Sequence, residues 1–315
     1  MAPKLYIITG QTGTGKTALA LQLAQQVNGV LISADARQVY QHLDIITGKD
    51  LGDAPFRLVE THEDFRIGYY QVNAIVLWLY DIVSPKSYFS AYDWVQCCSR
   101  ALKYIVDSGK TPIIVGGTYF YIDTLLFGLT EGGNPRWDLR KKLGPLSVYE
   151  LRQRAEEVDK KGFYALNHSD QYNPRRLIRF IEKYQDHISQ SETATNGIAA
   201  DYDYTCFGLK FPSSEVAHAI LSQRVDERLN QGAVNEAETL IHMGYTKEDP
   251  GLNTIGYKQL FMYLSGAVSL DEARTEWITK EYQYARRQFT LMKKNKSIVW
   301  YNCDEALLKN INNLI

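Results

Sequence analysis

Lys16 and Thr17 close the run Gly10-Gln11-Thr12-Gly13-Thr14-Gly15-Lys16-Thr17, whose spacing is G-x-x-x-x-G-K-T. These residue types suit one task, the holding of phosphate. Glycine permits the turns that aim backbone N–H groups at phosphate oxygens, and a following helix adds its positive N-terminal end. Gly10, Thr12, Gly13, Thr14 and Gly15 would form the cradle, Lys16 would reach the terminal phosphate, and the Thr17 hydroxyl would ligate Mg²⁺. Two further residues lie where they could serve the same ligand. Asp35 ends the apolar run Gly29-Val30-Leu31-Ile32-Ser33-Ala34, and Thr118 follows Ile113-Ile114-Val115-Gly116-Gly117. Asp35 reads either as a turn or helix cap, or as a carboxylate facing the phosphate site as metal partner or base. Thr118 reads either as a helix N-cap after a tight turn or as a hydroxyl donor to the ligand.

The elements that must position these groups follow from the apolar pattern. Leu5–Ile8, Val30–Ile32 and Ile113–Val115 are short, continuous apolar runs, the mark of strands buried on both faces of a parallel sheet. Ala18–Ala24 continues the glycine-rich run as a helix. In open α/β sheets ligands bind at the carboxyl ends of the strands, where all three segments place their polar residues. The expected fold class is therefore α/β, a P-loop NTPase-like parallel sheet flanked by helices, with a small helical domain inserted in it.

Composition narrows the setting. The 315 residues are 45% hydrophobic and 23% charged, with a net charge of −1, so no global charge demands a nucleic-acid partner. Cys97, Cys98, Cys206 and Cys303 form no C-x-x-C pair and suggest neither zinc nor a disulfide framework. No signal-peptide pattern precedes the first strand and no apolar run is long enough for a bilayer, so a cytoplasmic protein without a membrane partner is expected.

The character changes from 128 to 190, where strand signals stop and two or three helical patterns follow, as in Leu177-Ile178 with Ile181 and Tyr184. Residues 135–185 hold twelve Lys/Arg against seven Asp/Glu, a local basic patch in an otherwise balanced chain. Residues 1–127 and 191–315 would then form a discontinuous core, resumed by the strand-like Thr205–Phe211 and closed by Ser297–Tyr301. A second basic cluster gathers Lys280, Arg286, Arg287, Lys293, Lys294 and Lys296. Arg286 and Arg287 fall on adjacent helix faces, so one of them could bury its stem.

Beyond the P-loop, a series of segments in one order resembles the tRNA isopentenyltransferases (dimethylallyltransferases). They are Ser33-Ala34-Asp35-Ala36-Arg37-Gln38-Val39-Tyr40 with Leu43-Asp44-Ile45 and Lys49, Asp81-Ile82-Val83-Ser84-Pro85, Val115-Gly116-Gly117-Thr118, Asn173-Pro174-Arg175-Arg176-Leu177-Ile178-Arg179, Ile255-Gly256-Tyr257-Lys258-Gln259 and Ala285-Arg286-Arg287-Gln288-Phe289-Thr290. The resemblance implies transfer of a dimethylallyl group from dimethylallyl diphosphate to the exocyclic N6 of the adenine 3′ to the anticodon, in tRNAs reading codons that begin with U. It also implies Mg²⁺, a helical insert that grips the anticodon stem-loop, and a protein acting as a monomer.

On that resemblance Asp35 is the base that takes the amine proton, and Thr118 donates a hydrogen bond to the bridging oxygen of the diphosphate. Lys16 stabilises the leaving group and Arg224 holds it from the opposite side. Asp35, Ala36, Arg37, Gln38 and Thr118 would meet the target base. Arg140, Arg175, Arg176, Arg179, Gly256, Tyr257, Lys258, Arg286, Arg287 and Gln288 would meet the RNA. The chain departs from the family pattern at three places: Ile220 stands where an Arg is usual one turn before Arg224, Leu291 replaces a Trp, and residues 55–80 form a longer connection, expected to be an elaborated loop or hairpin. A P-loop kinase or NTPase, prenyl transfer to free adenine nucleotides, and a non-catalytic RNA-binding protein are the competing readings.

Overall fold

The computed structural model describes residues 2–128, 136–184 and 196–303. Eight strands lie in one sheet: β1 (Lys4–Gly10), β2 (Gly29–Ser33), β3 (Arg57–His62), β4 (Phe65–Val72), β5 (Ile75–Trp78), β6 (Thr111–Gly116), β7 (Asp203–Lys210) and β8 (Ile298–Asn302). Their order is β3-β4-β5-β2-β6-β1-β7-β8. From β5 across to β8 every neighbouring pair is parallel, whereas β3, β4 and β5 form an antiparallel meander.

The helices are α1 (Lys16–Val27), α2 (Ala91–Asp107), α3 (Tyr119–Phe127), α4 (Trp137–Leu143), α5 (Val148–Val158), α6 (Lys160–Ala165), α7 (His168–Gln171), α8 (Pro174–Tyr184), α9 (Ser214–Asn230), α10 (Ala233–His242), α11 (Tyr257–Leu264) and α12 (Leu270–Met292). Alternation along the central strands sends Leu5, Ile7, Val30, Ile32 and Ile114 into one apolar layer beneath α2, α3, α10, α11 and α12. Tyr6, Ile8, Leu31, Ile113 and Val115 face the other layer, against Leu19, Ala20, Leu23 and Ala24 of α1. Each fully buried Leu or Ile contributes roughly 2 kcal/mol by leaving water. Strands buried on both faces must be apolar throughout, which is why their runs showed no alternation in the sequence.

Residues 55–80 form the expected strand-like hairpin and extend it to three strands. They continue the sheet, because β5 pairs in parallel with β2 through Leu31–Leu77 and Ile32–Trp78. Asn73 and Ala74 both have positive φ, 48° and 67°, the backbone of a type I′ turn between β4 and β5. Tyr70 of β4 donates to Asp81 Oδ2 at 2.5 Å, and the Lys49 ammonium sits fully buried on Asp81, Asp44 and the Tyr40 carbonyl. The meander thereby pins the loop that follows Asp35.

That loop has a second anchor. Glu236 of α10 accepts from the backbone N–H groups of Asp44, Ile45 and Ile46 at 2.9, 2.6 and 3.1 Å, and from the Tyr257 hydroxyl at 2.5 Å. Glu236→Ala leaves three backbone donors and a buried hydroxyl without their acceptor. We expect a loss of about 3 kcal/mol in unfolding free energy, read by denaturant titration. A change below about 1 kcal/mol would contradict the anchoring role.

Two compact units emerge, Met1–Phe127 with Gly197–Ile315, and Gly128–Asn196. The expected return to the core at 191, like Gly132, Gly133 and Pro135, lies outside the described residues. Among the described residues the inserted unit holds five helices, α4 to α8, rather than two or three, packed on Leu143, Leu151, Phe163, Leu177, Phe180 and Ile181. Its helices start at readable signals, such as the capping box of Ser147 and Glu150 at α5.

Candidate active site

The carboxyl ends of β1, β2 and β6 lie side by side and present the glycine-rich loop, Asp35 and Thr118 at one rim. Gly15 has φ 80°, in the left-handed region, and a Cβ added there would meet nothing within 4 Å, so the loop curves around open space. The N–H groups of residues 13–17 have no acceptor among the described residues. Gln11 fastens the loop from below: its side chain accepts from Phe211 N at 3.0 Å and donates to the Ala285 carbonyl at 3.2 Å. Gln288 of α12 fastens it from the side, accepting from Thr12 N at 2.8 Å and donating to the Gly117 carbonyl at 2.8 Å.

Two expectations change here. The Thr12 N–H is already engaged and Gly10 is spent on the pairing with Leu209, so the cradle narrows to Gly13–Thr17. Gln288 is buried with both ends of its amide occupied, so it braces the loop instead of meeting RNA.

The Lys16 ammonium donates to the Gln11 carbonyl at 2.6 Å. Burial drives its pKa down to about 8, with Arg224 adding to the fall and the Asp35 carboxylate opposing it. Lys16 therefore lies within the fields of both Asp35 and Arg224. The Thr17 hydroxyl is exposed and has no hydrogen bond among the described residues. Those residues contain no cluster of three or more His, Cys, Asp or Glu arranged for a metal. That donor set fits a hard cation that keeps most of its waters and is bound chiefly through ligand phosphates.

Asp35 is half-buried and begins a turn, not a helix. Its Oδ1 accepts from Arg37 N at 2.8 Å, closing an Asx turn, while Oδ2 has no hydrogen bond among the described residues. The turn reading of this residue therefore holds through Oδ1, and Oδ2 is left without a structural role among the described residues. Gly116 makes the neighbourhood possible, since a Cβ there would stand 2.1 Å from the Ala34 carbonyl oxygen. Across this close approach Thr118 N donates to the Ala34 carbonyl at 3.1 Å, and Thr118 Oγ1 accepts from Ala36 N at 2.9 Å. The Tyr284 hydroxyl lies in the same neighbourhood, and burial raises its pKa. Thr118 thus positions the Asp35 turn, and it retains a proton to donate.

Arg37 is held by Glu281 at 2.8 Å and lies over the Tyr284 ring at 4.3 Å. Gln38 accepts from Ser33 Oγ at 3.0 Å and donates to the Gly48 carbonyl at 3.0 Å. Arg224 projects from α9 past Gly48, partly buried, with burial lowering its pKa first and Arg228 adding to that. Ile220, one turn earlier, packs toward Gly13 and Leu221 and brings no charge to the loop.

The other expected RNA contacts divide. Lys258, Arg286 and Arg287 are exposed. Tyr257 is fully buried on Glu236, and a Cβ on Gly256 would strike Ile46 and Trp277, so both support the fold and offer RNA no surface. Within the inserted unit Arg175 and Arg176 are exposed, with Arg176 on Asp170 at 2.7 Å. Arg140 is forked on Glu182 at 2.5 and 2.9 Å, which Arg179 also reaches at 3.1 Å. Arg140 is therefore a strut of the unit.

Comparison with known proteins gives a consistent picture. The profile of the IPP transferase family matches residues 38–295, and that of the isopentenyl transferases matches residues 3–55. A tRNA dimethylallyltransferase of Acetivibrio thermocellus is 31% identical over 320 residues, covering 98% of this chain and 96% of the relative. One from Lactococcus lactis is 34% identical over 299 residues, covering 94% and 91%. Among solved structures, the tRNA isopentenylpyrophosphate transferase of Staphylococcus epidermidis superposes with a TM-score of 0.66 at 29% identity, covering 99% of this chain and 97% of that one.

Proposed function

The chain belongs to the IPP transferase family, and from that premise we propose how its residues divide the work of one reaction. The reaction is transfer of the dimethylallyl group from dimethylallyl diphosphate to the exocyclic N6 of an adenine in tRNA, with release of diphosphate. The target adenine is the one 3′ to the anticodon, in tRNAs reading codons that begin with U, and the enzyme acts as a monomer. An adenine in a loop must be turned out of its stack to enter the rim. The exposed Lys258, Arg286, Arg287, Arg175 and Arg176 suit the phosphates that would position such a loop.

Once both substrates are seated, the N6 lone pair forms the new bond to the allylic carbon as its bond to the diphosphate oxygen breaks. The N6 proton passes to Asp35, and the electron pair leaves with the diphosphate. Lys16, the amides of residues 13–17 and Arg224 receive the developing charge, which is where fixed charges and dipoles lower a barrier most. Thr118, whose hydroxyl oxygen accepts from Ala36 N, turns its own proton to the bridging oxygen. Thr17 would hold a bound Mg²⁺ through its hydroxyl, and that ion would supply charge neutralisation to the leaving group. The observation that carries this reading is the unbonded Asp35 Oδ2 at the rim of the cradle, in the field of Lys16.

Purified protein with Mg²⁺ and labelled dimethylallyl diphosphate, offered total tRNA or AMP, tests the reading. Label in tRNA supports it, whereas label in AMP alone, or ATP turnover without transfer, overturns it. The lowered Lys16 pKa adds a pH dependence. Below about 8 the ammonium meets the diphosphate already charged; above it, binding must take up a proton. The KM for the donor should therefore stay flat to about pH 8 and then rise, by up to tenfold per unit. A flat profile from pH 7 to 10 would contradict the contact.

A further inference from the structure

Glu281 lies on α12, 4% exposed. Its Oε1 is taken by Arg37 at 2.8 Å, but its Oε2 is enclosed by protein and has no hydrogen-bond partner among the described residues. A buried carboxylate oxygen left in this way is costly and rare. Its complement stands nearby. Arg224 of α9 has no hydrogen bond or ion pair among the described residues, and Glu281 is one of the two anions that favour its charge. Asp50, the other, gives both oxygens to Arg228, at 2.8 and 3.1 Å. Arg37, the second cation near Glu281, is already paired and stacked. Arg274 of α12, forked on Asp226 of α9 at 2.5 and 2.7 Å, ties the two helices that carry Glu281 and Arg224 to each other. What remains is one guanidinium and one carboxylate oxygen, each without a hydrogen bond among the described residues and each on one of two helices tied together.

We propose that Glu281 is the resting counter-ion of Arg224, a positioning residue that takes the guanidinium when the cradle holds no anion and yields it to the diphosphate. This rests on the reading of Arg224 as a diphosphate clamp. Rotation of an arginine side chain is fast, so the exchange needs no movement of the backbone. Its consequence is a weakened grip on diphosphate: each binding event must outcompete Glu281, and each release is helped by it. A substrate held this way can still be bound well, because dimethylallyl diphosphate is also gripped by its tail, whereas the product is not. Glu281 thus favours product departure.

Titration of inorganic diphosphate with Mg²⁺ into the full-length protein, followed by calorimetry, tests this without RNA. Glu281→Gln keeps the shape and removes the charge, and should tighten diphosphate binding about five- to tenfold. Glu281→Asp, which keeps the charge, should stay within about twofold of the natural protein. In an Arg224→Gln background the Glu281→Gln gain should vanish, because the coupling runs through that one side chain. Unchanged or weaker binding by Glu281→Gln, or a gain that persists without Arg224, overturns the proposal. Failure of the unaltered protein to bind diphosphate at all would instead overturn the reading beneath it.

Discussion

Asp35→Asn should lower transfer about a thousandfold, within the range a positioned general base supplies, while tRNA affinity stays within about twofold. The amide is the informative replacement. Its side-chain oxygen can still accept from Arg37 N, so the Asx turn that Oδ1 closes survives. What is lost is the basic Oδ2, which has no structural partner to miss it. The surrounding brackets remain: Thr118 on Ala36 N, Gln38 on Ser33 and Gly48, and Glu236 on the amides of residues 44–46. Asp35→Ala would confound the two effects by opening the turn. Single-turnover transfer and filter binding to the same tRNA separate chemistry from affinity. Parallel losses in both, or a transfer loss under tenfold, would remove Asp35 as the base.

Lys16→Met should cost roughly 100- to 1000-fold in kcat/KM for the donor, the scale seen when one fixed charge or donor is removed from a developing anion. Methionine keeps an unbranched apolar stem, so the packing of α1 on the sheet is preserved. The loop loses one contact, from the ammonium to the Gln11 carbonyl, and keeps its anchors, because the Gln11 and Gln288 side chains hold it through backbone and amide contacts. Affinity for tRNA should not change. Steady-state rates with the donor varied at saturating tRNA check this, and a loss under tenfold would show that the diphosphate is gripped elsewhere.

Much of this site was legible because its parts are local. Strand, glycine loop and helix follow one another within residues 4–27, and the polar ends of β2 and β6 were marked by Asp35 and Thr118 after apolar runs. The braces were not legible, since each joins residues far apart in the chain. Gln288 meets Thr12 across 276 positions and Glu236 meets the 44–46 amides across about 190. No local pattern distinguishes a glutamine that grips RNA from one that locks a loop. The same holds for Tyr257 and Arg140, whose types suit RNA but whose hydrogen-bonding groups are occupied within the protein. The meander showed strand-like runs, yet only the pairing of β5 with β2 makes it part of the sheet. An Asn73-Ala74 turn lacks the glycine that usually announces such a hairpin.

The central claim is that a phosphate cradle here releases diphosphate from an allylic donor only as an adenine amine replaces it. The most direct measurement follows both products in one single turnover: inorganic diphosphate released, and label recovered as N6-dimethylallyl adenosine after nuclease digestion of the tRNA. Equal amounts with equal rates, both absent without tRNA, are the expected result. Diphosphate released without tRNA, or label found anywhere but N6, would contradict it.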